Sequence, residues 1–234
     1  MLLAGGADSG KHMEGLFVAR MVRNLCVLVV GLVAVLGLEH ASAREIADLV
    51  QDRYQSLSSF RAFFTQQLYN AASKKKEERL GSIVFAKPKS LRWETTSPEE
   101  EVLVVGPRVV WEYLPEDGVA YRYAVDEVFR SKTMLRFLSG EVHLKQDFQV
   151  RHAGEDAGLQ VLELTPLEPE PGLTLARLWV RGDDGLVERI HIVDFFGNTN
   201  TLHLKAIEVD PTIDPQLFQF TPPQGVRVLE DKTE

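Results

Sequence analysis

Between Phe60 and Val209 the chain is a succession of short runs in which apolar residues recur at every second position, cut by turn sequences. The runs are Phe60–Asn70, Gly81–Ala86, Leu91–Thr95, Glu101–Val105, Val109–Leu114, Val119–Val125, Val142–His152, Leu159–Pro166, Leu175–Arg181, Val187–Phe196 and Thr199–Val209. Gly106-Pro107, Glu116-Asp117-Gly118, Asp183-Asp184-Gly185 and Gly197-Asn198 supply turn chemistry between them. A two-residue period is that of a strand with one covered and one wet face. About eleven strands joined by tight turns predict a mainly β, antiparallel meander. The absence of strand–helix alternation argues against a parallel α/β sheet.

The strand faces predict where apolar surface gathers. Ile83, Phe85, Leu91 and Trp93 share one face, opposite Ser82, Arg92 and Glu94. Trp111 and Tyr113 form an aromatic face opposite Glu112, and Tyr121 and Tyr123 another opposite Arg122. All eight are expected to line one concave apolar side, because twist curls so wide a sheet. That side either closes into a packed core or stays partly open for a ligand. Two amphipathic helical pieces are available to cover it. One carries Ile46, Leu49, Val50, Tyr54 and Leu57 at helical spacing. The other interrupts the meander between Asp126 and Gly140, with Val128, Phe129, Leu135 and Leu138 on a common face. Leu135 and Leu138 are therefore expected on the cavity side of a lid.

Composition narrows the function classes. The 234 residues are 44% hydrophobic and 26% charged, an ordinary globular balance, and the formal net charge of −8 disfavours a nucleic-acid partner. The single cysteine, Cys26, permits no internal disulfide and no thiolate zinc cage. No G-x-S-x-G elbow or H-E-x-x-H helix occurs, and His143, His152, His191 and His203 fall on separate strands. No enzyme, cofactor or metal site is predicted. Gly5 to His12 resembles a phosphate-binding loop, but His12 stands where that loop needs Ser or Thr. Arg181-Gly182-Asp183 reads as part of a hairpin turn.

The first 43 residues read as a leader outside the fold. Arg20 and Arg23 precede Leu25–Leu38, a run of 14 apolar residues, and Ala41-Ser42-Ala43 follows. A membrane-spanning helix needs roughly 20 apolar residues, so the pattern is that of a secretory signal peptide. Cleavage is expected after Ala43, Met21 is a plausible true start, and residues 44–234 form one exported domain. The compartment this implies is a bacterial periplasm.

Four segments carry a family resemblance. Leu57-Ser58-Ser59-Phe60-Arg61-Ala62-Phe63-Phe64-Thr65-Gln66 resembles the S-S-F-x-A-x-F-x-Q opening of the outer-membrane lipoprotein carrier proteins, the LolA family. Gly81 to Trp93 is similar to their G-x-L-x-V-x-R-P-x-x-F-x-W segment, and Val109 to Pro115 to their L-W-x-Y-x-P strand. Phe220-Thr221-Pro222-Pro223-Gln224-Gly225-Val226 matches their F-T-P-P-x-G-V. The resemblance implies an unclosed half β-barrel of about eleven antiparallel strands with a lid of short helices over an apolar cavity. It implies a monomeric periplasmic chaperone that binds the acyl chains of lipoproteins. An ATP-driven inner-membrane transporter would supply the cargo, and an outer-membrane receptor would take it. A periplasmic lipoprotein sensor or a glycolipid-binding protein of the same half-barrel is the alternative.

One departure concerns the lid. Lys87 stands where the family has an arginine that points into the barrel and bonds lid carbonyls. The resemblance therefore makes Lys87 a lid latch, with three donors on a flexible stem in place of a rigid five-donor fork. Leu91 likewise replaces a phenylalanine.

Overall fold

The computed structural model describes residues 43–125, 133–139 and 141–230. Leader residues 1–42 and residues Val128 and Phe129 lie outside them. Among the described residues the chain forms a helix α1 over residues 43–56, then six strands. These are β1 (Ser59–Tyr69), β2 (Lys76–Ala86), β3 (Ser90–Ser97), β4 (Glu101–Val105), β5 (Val110–Leu114) and β6 (Val119–Tyr123). Two short helices follow, α2 (Thr133–Ser139) and α3 (Leu144–Asp147). The chain continues through β7 (Phe148–Asp156), β8 (Leu159–Pro166), β9 (Leu175–Val180), β10 (Val187–Val193) and β11 (Thr199–Val209). It ends in a 3-10 turn (Pro215–Phe218) and a short strand β12 (Arg227–Glu230).

The strands make one open sheet in the order β12-β6-β5-β4-β3-β2-β1-β11-β10-β9-β8-β7. Each consecutive pair within β1–β6 and β7–β11 is an antiparallel hairpin, and β1 closes against β11 to join the two runs. The sheet is not closed into a barrel: its first and last strands are β12 and β7. The expected unclosed antiparallel architecture is thus observed, with a twelfth strand. That strand, β12, pairs with β6 in parallel and has no apolar alternation of its own to announce it.

Two element boundaries differ from the sequence expectation. β2 begins at Lys76 rather than Gly81, because its polar first half is held by pairing from Tyr69↔Lys76 to Thr65↔Leu80 and not by burial. The run Val142–His152 begins in helix. Leu144 and Phe148 are both buried, and their spacing of four satisfies a helical turn as well as a strand.

The ladder fixes which side chains share the inner face. Phe85 lies opposite Leu91, Leu91 opposite Val105, Val105 opposite Val110 and Val110 opposite Tyr123. The next rung runs Ile83, Trp93, Leu103, Glu112, Tyr121. On the far side Leu204, Leu202, Ile190, Leu178 and Leu162 continue the same face. All belong with α1 and α2 residues to one apolar core except Glu112 and Tyr121.

Trp111 and Tyr113 do not share this face. Trp111 pairs with Arg122 and Val104, so it lies on the outer side with them. Both rings pack against Phe220, at centroid distances of 5.8 Å and 5.4 Å. The C-terminal segment crosses the outer side there, and Arg92 Nη1 donates to the Leu217 carbonyl at 3.2 Å. Val84, Val104, Ala120 and Phe218 are buried in the same region. The expectation that Trp111 and Tyr113 look into the hollow is therefore corrected. Both faces of β5 are covered, so aromatic content does not tell inside from outside.

Candidate functional site

The hollow of the sheet is occupied by the protein's own helices. Ala47, Val50 and Tyr54 of α1, Leu57 after it, and Phe137 and Leu138 of α2 are buried in the core with the inner strand residues. Ile83, Phe85, Leu91 and Leu138 have 0% exposure. Ile83, Phe85 and Leu91 lie under the helices, and Leu138 of α2 packs in the same core with them. Trp93 sits nearer the rim at 8% exposure and packs at a tilt against Phe64, with ring centroids 4.6 Å apart. Tyr121 and Tyr123 are half-buried and stacked on one another, and the Tyr123 hydroxyl donates to Glu112 Oε2 at 2.8 Å. The side chain of Leu135 lies outside the described residues.

Phe64 reaches Trp93 because residue 81 is glycine. A Cβ at Gly81 would stand 1.9 Å from the Glu94 carbonyl oxygen and 2.6 Å from the Phe64 ring. The ring lies across the bare backbone of β2, which lets two aromatic groups meet over a strand between them.

A cleft of about 810 Å³ opens at the end of the sheet where β1 runs into β2 and β10 into β11. Leu68, Trp93, Leu103 and Ile192 give it apolar walls. Gln66 and Asn200 join across it, Nε2 to Oδ1 at 3.0 Å, and Arg79 is paired with Glu101 at 2.9 Å. The cleft continues the inner face beyond the part that the helices fill. Apolar surface with a polar rim suits a ligand that has a hydrocarbon part and a polar part.

Besides its buried apolar face, α1 is held by a few polar contacts, mostly at its surface. Lys87 is exposed, and its Nζ donates to the Gln55 carbonyl near the C-terminus of α1 at 2.5 Å. A cation at that position satisfies a carbonyl with no partner inside the helix. Lys87 thus meets a carbonyl of α1 from the strand end rather than from inside the sheet. Arg53 Nε donates to the Asp184 carbonyl at 2.7 Å in the β9–β10 turn. Asp48 is ion-paired with Lys145 of α3, and the Leu144 amide donates to Gln51 Oε1 at 3.1 Å. On α2, Arg136 pairs with Glu170 at 3.1 Å.

Tyr54 is the buried exception. Its phenol is pushed up to about 12, first by burial, against a hydrogen bond from the backbone amide of Val187. Val187 lies at a register shift between β10 and β9, which explains why its amide is available to a side chain. Sequence reading gave Tyr54 only as an apolar helix position. The hydroxyl's partner depends on a bulge that no local pattern announces.

Among the described residues there is no cluster of three or more His, Cys, Asp or Glu able to hold a metal, and no helix is long and apolar enough to cross a membrane. His191 Nδ1 meets Thr201 Oγ1 at 2.8 Å on the outer face, and burial with the Arg177 charge lowers its pKa.

Comparison with known proteins converges on one family. The family model "Outer membrane lipoprotein carrier protein LolA" matches residues 55–221. The outer-membrane lipoprotein carrier protein of Dechloromonas aromatica is 30% identical over 193 residues, covering 82% of this chain and 89% of the relative. That of Methylococcus capsulatus is 29% identical over 178 residues, 76% and 84% of the two chains. Among solved structures, an uncharacterized conserved protein of Thermus thermophilus superposes with a TM-score of 0.53 at 16% identity, over 81% of this chain and 99% of its own. The Mycobacterium tuberculosis lipoprotein LppX gives 0.50 at 13% identity, over 74% and 98%. These two show the fold alone. The match, from the end of α1 through β11 to residue 221, places this chain in the outer-membrane lipoprotein carrier protein family.

Proposed function

We propose that this protein is a periplasmic chaperone that takes the acyl chains of lipoproteins between its sheet and its helices and carries them through water. It is a carrier and not an enzyme. The observation that carries the reading is the make-up of the core. The inner face of the sheet is apolar except at Glu112 and at the Gln66–Asn200 end, and what covers it is helices that pack by apolar side chains, with only a few polar contacts fastening them.

Magnitudes favour exchange of helix for hydrocarbon. Fully burying a Val- or Leu-sized side chain is worth about 1.5–3 kcal/mol, so lifting Val50, Tyr54 and Leu57 costs on the order of 5–9 kcal/mol. Exposed ion pairs add about 0–1 kcal/mol each. Each buried methylene returns roughly 0.8 kcal/mol, so one acyl chain of about 16 carbons offsets the whole displacement. The closed form competes with cargo and lowers its apparent affinity, which lets a carrier give the cargo up.

In this reading Ile83, Phe85, Leu91, Trp93, Tyr121, Tyr123, Leu135 and Leu138 line the opened cavity, and Lys87 is a latch on α1. Trp111 and Tyr113 serve the outer face. Residues 1–43 act as a leader removed on export, and residues 44–234 work as a single monomeric domain. An ATP-driven inner-membrane transporter loads it and an outer-membrane receptor unloads it.

The test is release. Protein added to cytoplasmic membranes charged with a labelled lipoprotein should bring that lipoprotein into the soluble fraction as a complex. A variant with α1 cross-linked by a disulfide to the β9–β10 turn should release none until reduced. Release by the oxidised variant, or no release by either form, overturns the proposal.

A further inference from the structure

We propose that the end of the sheet carrying the β1–β2 and β10–β11 turns docks on the surface of an anionic phospholipid bilayer. The proposal goes beyond the carrier reading and does not depend on it, since it concerns the cargo-free protein.

Phe195 and Phe196 stand at the tip of the β10–β11 turn, each 73% exposed, with their rings edge-to-face at 5.7 Å. Their exposure is built in. Asp194 Oδ1 accepts from the amides of Phe196 and Asn198, both at 2.8 Å, and Oδ2 accepts from Asn198 Nδ2 at 2.7 Å. The Phe195 amide donates to the Pro171 carbonyl at 3.0 Å, and Gly197 takes φ 78°, a conformation other residues rarely adopt. The backbone so pinned holds both rings out at the tip, where their main neighbour is each other.

Beside them lies a cationic turn. Asn198 Oδ1 accepts from the Ala71 amide at 2.9 Å, fastening the β10–β11 turn to the β1–β2 turn. The latter carries Lys74 and Lys75, and Lys76 opens β2 beside them, all exposed. Of the nearby acidic groups, Glu77 is ion-paired with Arg79, while Glu78 and Asp194 keep their charge and accept from Gln67 Nε2 and from their own turn. Three consecutive lysines on a chain of net charge −8 mark this end off from the rest of the molecule.

The chemistry fits a bilayer better than a protein partner. Two rings on a narrow tip make a projection, which inserts into a yielding surface but covers little of a rigid one. Ammonium groups are point charges that suit mobile headgroup phosphates, without the geometric fork used for directional pairing. Each lysine near an anionic leaflet contributes about 1 kcal/mol, so the attachment is weak and reversible. Lys75, Lys76 and Asp194 also border the 810 Å³ cleft, so docking by this end turns the cleft toward the lipid.

The experiment is flotation of the cargo-free protein with vesicles of phosphatidylglycerol and phosphatidylethanolamine, or of phosphatidylcholine alone. Binding is expected only to the anionic vesicles and should fade as salt is raised. Phe195→Ser with Phe196→Ser, and separately Lys74, Lys75 and Lys76 all to Gln, should each weaken it roughly tenfold or more. Phe63→Ser, at an exposed ring elsewhere on the sheet, should leave it unchanged. Circular dichroism and Tm check that each variant is folded. Equal binding to neutral vesicles, insensitivity to the turn variants, or attachment only to vesicles that contain membrane proteins would overturn the proposal, the last in favour of a protein partner.

Discussion

Tyr54→Phe is the cleanest way to ask whether α1 is a lid. The substitution keeps the ring that packs in the core and removes only the oxygen that accepts from the buried Val187 amide. In the closed form the Val187 backbone then loses that polar neighbour, at a cost of about 1 kcal/mol. With α1 lifted, water satisfies the amide in both proteins, so the change acts on the closed form alone. When a binding-competent state is a small fraction of the total, apparent affinity scales with that fraction. A shift of about 1 kcal/mol therefore tightens the apparent binding of an acylated ligand about fivefold, and a larger shift tightens it further. The assay is a titration of the purified variant with a fluorescent diacyl lipopeptide. Hydrogen exchange over residues 43–56 is followed in parallel and should quicken by the same factor. Tm should fall slightly, since the same bond stabilises the fold. A variant that exchanges faster over residues 43–56 yet binds the lipopeptide no tighter would refute the competition between helix and cargo.

Lys87→Leu, which removes the bond to the Gln55 carbonyl, should act in the same direction but only about twofold to fivefold, and Lys87→Arg should restore the wild-type titration. Gly81→Ala should lower Tm sharply, by more than about 3 kcal/mol of stability, because its Cβ collides with backbone as well as with Phe64. A near-normal melting curve would mean that β2 and β3 can part without cost. Ser58 and Ser59 donate to the Asp210 carboxylate and hold its pKa below the usual range. This contribution is present above the unfolded value of about 3.9 and disappears as pH falls through the lower folded value. Asp210→Asn should flatten that part of the pH–Tm profile. Tyr54 runs the opposite way: its hold on α1 is complete below pH 10.0 and is lost as pH rises through about 12. Exchange over residues 43–56 should therefore accelerate across that window in the wild type and not in Tyr54→Phe.

Much of the sheet is written in the sequence because one of its faces is buried nearly everywhere. Where burial and alternation coincide, as in Ile83, Phe85, Leu91 and Trp93, the inner set can be read directly. It fails at β5, where a second apolar layer under Phe220 makes the outer set look like the inner one. Counting across the turn would have resolved it. Val105 faces Val110, so Leu103 must face Glu112, and Trp111 falls with Val104 on the other side. The polar half of β2 and the parallel β12 were illegible for a related reason, since pairing holds them and pairing leaves no mark on composition. The state of the hollow was hidden altogether. Periodicity shows that helices and sheet have complementary faces, but not whether they meet each other or a ligand.

An open sheet has two rims with unpaired backbone, and such rims invite other chains to extend the sheet. Here one rim is the four-residue β12, flanked by Arg227 and Glu230, and the other is β7, which bears Arg151 and an irregular register between His152 and Glu155. Brief length, charge and a kink each discourage a neighbouring strand from adding on. Such protection guards a soluble open sheet against pairing with its own copies. Deleting residues 227–230 would bare β6, and self-association would follow before any loss of the cavity.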